Sequence, residues 1–157
     1  MSNFIGQTIY VEEALPAANT TAGFEALTWV KVNGVITLPQ LGLTHSMIDV
    51  PDLQTGFTSA VKGAGQGADT TATFREVPSD AGQEDIKAAA NSQAGIISIK
   101  IVDGSGAAQA PVTGDPVIYA QGIAHSHQPN QGDNASYDGF TIGFRQNAPT
   151  IVATQPA

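Results

Sequence analysis

A chain of 157 residues has room for one domain. Its charge is sparse and acidic: 13% of residues are charged, against about 25% in an average soluble domain, and fourteen Asp and Glu outweigh six Lys and Arg for a net charge of −8. That balance excludes the basic patch that nucleic-acid binding needs and any attraction to an anionic membrane, while the absence of Cys excludes disulfide scaffolds, thiol catalysis and thiolate metal sites.

The start, Met1 to Gly6, lacks a basic region and a long apolar run, so no leader is expected and the chain reads as made in a cytoplasm. No stretch approaches the roughly 20 apolar residues of a membrane span. Thr8 to Val11 is a short β-prone run, and residues 14–26 are small and polar and read as loop. Thr28 to Val32 alternates apolar with polar, and Asn33-Gly34 separates it from Val35 to Leu38. Two readings fit: a tight hairpin on Asn-Gly, or a bulge within one continuous strand.

From Pro39 to Gly67 no period persists, yet apolar residues are scattered through it. A structureless loop of that length is uncommon inside a compact domain and usually serves function or orders on binding. Leu41, Leu43, Met47, Ile48, Val50, Leu53 and Phe57 are its candidate interface residues, because on a free monomer they would be a liability. The Gly-rich stretch Gly63 to Gly67 leads into a strand rather than a helix, so it lacks the helix N-terminus of a phosphate site.

Ala68 to Val77 alternates again. The one convincing helix follows, with Asp80 as N-cap, Gln83 three residues on, an alanine run and Gly95 as stop. Ile97, Ile99 and Ile101 alternate with Ser98, Lys100 and Val102 as a half-buried strand. Val117 to His125 and Phe140 to Arg145 are further strands, divided by the polar loop Gln128 to Ser136. The order predicts an α+β, mainly β domain over 1–147: two packed antiparallel sheets, as a sandwich or barrel, flanked by one helix. A long extended loop covers about 40–67, and a flexible tail runs from 148 to 157.

Candidate chemistry is thin. No nucleophile elbow, phosphate loop or calcium loop occurs, and neither Asp49/Asp52 nor Glu84/Asp85 has a nucleophile or oxyanion donor beside it, so no enzyme and no cofactor are predicted. His125 and His127, two apart on a strand, share a face and form a weak metal candidate with Asp133 or Asp138. The alternative function is therefore a small β-sandwich binding module for carbohydrate or metal.

In its order of features the chain resembles the tail tube (major tail) proteins of siphovirus-type, lambda-like bacteriophages. The carrying residues are Trp29 to Val35 with Leu38 to Leu41, then Val50 to Leu53, Lys62 to Gly65 before the strand Thr70 to Arg75, the helix Gln83 to Asn91, the isoleucine strand, and Gly122 and Gly143. The likeness spans roughly residues 8–146. It implies six-subunit rings stacked into a virion tube, with the long loop reaching neighbouring subunits. The implied partners are further copies, terminator and tape-measure proteins, and phage DNA that passes through the lumen without specific binding; no membrane is involved. Which acidic residues face such a lumen is not assigned, because sheet facing is ambiguous from one sequence. Another virion or secretion-tube component is the nearest structural alternative.

Overall fold

The computed structural model describes residues 5–157; Met1 to Phe4, part of the segment read for a leader, lie outside the described residues. In chain order the elements are β1 (Gln7–Glu12), α1 (Thr21–Glu25), β2 (Val30–Val32), β3 (Val35–Thr37), β4 (Leu43–Pro51), β5 (Thr58–Gly67), β6 (Asp69–Arg75), α2 (Ala81–Asn91), β7 (Ile96–Asp103), a 3-10 turn (Ala107–Gln109), β8 (Pro116–Pro129), β9 (Gly139–Gln146) and β10 (Ile151–Thr154). The fold is mainly β, with two antiparallel sheets and one main helix, as expected. Its strands divide unevenly. Eight form one sheet in the order β2-β1-β7-β8-β9-β6-β3, with β10 beside the first part of β8, and β4 and β5 pair with each other. The large sheet is not a closed barrel.

Period-two patterning sets the main core. Ile9 and Val11 on β1, Ile97, Ile99 and Ile101 on β7, Ala72 and Phe74 on β6, and Phe140, Ile142 and Phe144 on β9 all face one side. Helix α2 lies over them through Ile86 and Ala89. Small residues permit that approach, since a Cβ at Gly82 would run into the backbone of Lys31 and Val32. Phe74 and Phe140 stack with centroids 5.1 Å apart.

Asn33-Gly34 does not make a hairpin. β2 and β3 flank it as separate strands at opposite ends of the strand order, so it is not a bulge within one continuous strand either: the chain crosses there between the sheet's two edges. The reason is local. Asp80 Oδ2 accepts from Gln83 N (3.0 Å), as a cap should, and the same carboxylate accepts from Asn33 N and Nδ2. The Gln83 side chain is buried and does not close a reciprocal capping box. Its Nε2 donates to Asn33 O and Arg75 O, and its Oε1 accepts from Val77 N. Gly34 has φ +74°, and a Cβ there would strike Arg75 O. The polar groups that would close a hairpin are thus held by the helix start instead.

The outer face of β1, β7 and the first half of β8 is covered as well, so β7 is buried on both sides rather than half-buried. Residues 14–26, expected as loop, contain α1, capped by Thr20 Oγ1 accepting from Gly23 N. Phe24 stacks on Tyr119 (5.1 Å), and Trp29 leans on the same ring while its Nε1 donates to Phe24 O. Ser98 Oγ ties the segment down by donating to Ala14 O (2.5 Å). Lys100 is caught beneath it, its Nζ 5.3 Å from the centroid of the Tyr10 ring; burial pushes its amine pKa down. The stretch from 148, expected as a flexible tail, supplies β10, whose Ile151 and Ala153 pack on this second cluster.

Candidate assembly interface

The segment without a period is an antiparallel hairpin. β4 and β5 pair from Leu43↔Gly67 to Pro51↔Thr58. Nine residues at about 3.4 Å each make an arm about 30 Å long. Both its faces are exposed, so nothing sorts apolar from polar residues along it. A register shift between His45 and Met47 then moves β5 by one residue and breaks what alternation is left. These two facts explain why the sequence shows no period here.

Of the candidate interface residues, Leu43, Met47, Ile48, Val50, Leu53 and Phe57 stand exposed on the arm. Leu53 is 101% exposed and Phe57 73%, both in the tip between the strands. Leu41 lies apart from them, half-buried against the main core just before the arm begins. Ile48 and Val61 are direct cross-strand partners, so one face of the shaft carries an apolar ridge with Val50. The tip is ordered by Asp52: Oδ1 accepts from Gln54 N (2.8 Å) and Thr55 N (3.4 Å), and Gly56, at φ +67°, donates its N–H to Asp52 O (2.9 Å). The hydrogen bond from Gln54, reinforced by Thr55, holds the Asp52 carboxyl below its ordinary pKa.

The root of the arm turns on Gln146, 1% exposed at the end of β9. Its Oε1 accepts from Gly42 N (3.0 Å), and its Nε2 donates to Ala148 O (2.8 Å) and Thr150 Oγ1 (2.6 Å). Its backbone N donates to Ala68 O, and Ala68 N donates to Gly42 O. Gly67 passes so close that a Cβ would overlap the Gln146 backbone. One buried side chain thus ties the arm to both β9 and the stretch between β9 and β10. No motif in the sequence marks Gln146; only its apolar neighbourhood on a strand would hint at a buried amide.

The two histidines do not converge. Ser126 adopts φ +56° and the register shifts between His125 and Gln128, which breaks the two-residue periodicity. His125 lies over Gly143 with Nε2 2.8 Å from Asp69 Oδ1, whereas His127 sits edge-on to Phe140 at 5.4 Å. Asp133, one of the two further ligands considered with Asp138, has its carboxylate turned to its own loop, accepting from Ala135 N. Among the described residues no group of three or more His, Asp or Glu is placed to hold a metal ion. Among the same residues no helix is long and apolar enough to cross a membrane.

The sequence matches no protein-family model, and no curated protein matches it. Its structure does have counterparts. It is similar to a chain of the anti-feeding prophage cap, the tube-terminating cap, with a TM-score of 0.63 and 16% identity over 99% of this chain and 92% of that one. It is similar to a chain of the SPP1 tail tube, with a TM-score of 0.62 and 13% identity over 96% and 78%. A chain of the gene transfer agent tail, described with C6 symmetry, gives 0.59 and 11% over 99% of both. This chain has the fold of tail-tube and tube-terminating proteins from phages and phage-like injection particles.

Proposed function

We propose that the protein is a structural subunit of a phage or phage-like tail: six copies join into a ring, and rings stack into a tube that delivers DNA. The observation that carries this reading is an ordered arm about 30 Å long, apolar at its tip and shaft, projecting from a body whose own core is already filled. A two-stranded ribbon exposed on both faces is marginal alone in water and gains stability by burial against a partner. Its edges offer unpaired backbone groups to a neighbouring strand. The tail-tube fold supports further copies of the chain, together with terminator and tape-measure proteins, as the partners.

Charge fits the same role. Six copies at −8 each carry −48 formal charges, and a wall of that sign repels phosphates, so DNA would transit without sticking. No catalytic step is assigned to any residue. Sedimentation velocity over a wide concentration range tests the reading: the full chain should move to masses well above that of one chain as concentration rises. A single-chain mass at every concentration would contradict it.

A second reading has its own support, because the tube-terminating cap matches as well as the tail tube does. A terminator would form one ring that closes a tube and would not stack. Electron microscopy separates the two, since only the tube subunit builds long cylinders by itself.

A further inference from the structure

Beside the root of the arm the body opens into a cleft of about 790 Å³, between the start of β1 and the segment that follows β3. Its walls include Ile36, Leu38, Pro39, Leu41, Ile101 and Ile118, and among the described residues no charged side chain lines it. Ile36 stands at the wall 49% exposed. A hollow walled mainly by apolar side chains, with Gln7, Thr37 and Gln40 among them, is costly to leave wetted, and it has room for two large side chains.

The arm of the same chain cannot fill it. Leu41 is part of the cleft wall and Leu43 starts the arm, so the tip lies about 30 Å away from the hollow. Leu53 is accordingly 101% exposed. Resting on the self-assembly reading, we propose that Leu53 and Phe57 at the tip of one copy's arm seat in this cleft of the next copy. Tip and cleft are different surfaces, so the contact is head-to-tail and closes into rings or runs on as a stack.

Charge complements the fit. Lys62 on the arm shaft has no carboxylate within 4 Å among the described residues. Asp103, exposed at the end of β7, pairs in register with Gln7, a cleft-wall residue. A tip seated in the cleft carries a shaft cation toward an acidic rim.

The chain has no cysteine, so single-cysteine variants report the contact directly. Phe57→Cys is mixed with Ile36→Cys, and separately with Thr71→Cys on the exposed face of β6, then oxidised and run on a non-reducing gel. All three sites leave the core untouched. The expected product is a disulfide-linked pair of twice the chain mass in the Phe57/Ile36 mixture, at least fivefold above either variant alone and above the Thr71 mixture. Adding Lys62→Glu to the Phe57→Cys protein should lower that yield about threefold at low salt and less at high salt. Equal linking to Thr71, or none to Ile36 while the mixture still sediments as oligomers, overturns the cleft as receptor and leaves the assembly reading standing. Wild-type protein that stays a single chain at all concentrations overturns both.

Discussion

At the scale of single residues, two buried polar side chains carry more of the architecture than their number suggests. Gln146 joins the arm root to the stretch before β10 through three side-chain hydrogen bonds. Gln146→Ala leaves buried donors and acceptors unmet and should cost about 3 kcal/mol in urea unfolding. It should also raise the exchange rate of the Gly42 amide well beyond the global effect; unchanged protection at Gly42 would contradict the assignment. Asp80 serves the helix start and Asn33 together, so Asp80→Ala should cost about 2 kcal/mol, more than an ordinary cap, with Asp80→Asn in between. The two differ in how far they could be foreseen. Asp80 acts three residues away, within reach of a local motif, and its role as N-cap was legible. Gln146 acts across 104 residues to reach Gly42, and no local pattern encodes that.

At the scale of elements, strands that bury one face were legible and those with two similar faces were not. β9, with Phe140, Ile142 and Phe144 alternating, and β6 announce themselves. β4 and β5 have two exposed faces and a register shift, so their period vanishes though their pairing is regular. β7 misleads in the opposite sense: its polar alternates Ser98 and Lys100 are covered by the α1 segment, whose small polar residues resemble a loop. The arm tip makes a pH prediction. Hydrogen bonds lower the Asp52 pKa in the folded arm, so their stabilisation is present above the ordinary carboxylate value of about 3.9 and is lost as pH falls through the lower folded value. Amide protection at Gln54 and Thr55 should therefore decline in strong acid, and Asp52→Asn should abolish that dependence. Protection that is flat down to the acid unfolding of the body would contradict it. A larger change belongs to the same scale. Deleting residues 42–66 should leave a folded, soluble body, because the core on β1, β6, β7, β8 and β9 does not draw on the arm. That body should no longer assemble; tubes from the deleted chain would show the arm to be dispensable.

At the scale of the molecule, sparse apolar content and low charge resolve into a division of labour. The body concentrates its isoleucines and phenylalanines in one core under α2, with a second aromatic cluster on the outer face. The exposed apolar residues of the arm and the open cleft are surfaces that further copies can bury. The acidity, which argues against nucleic-acid binding, is compatible with the proposed role as a channel wall that DNA passes without sticking. The fold class was legible from strand order around one capped helix, whereas the cleft proposed to receive the arm was not, since Ile36, Leu41, Ile101 and Ile118 meet only in three dimensions. If this chain builds a tube from itself, it must do so when it is purified and concentrated alone. Electron microscopy of that protein should then show stacked rings or hollow cylinders of uniform width; a field of separate single chains at every concentration would overturn self-assembly.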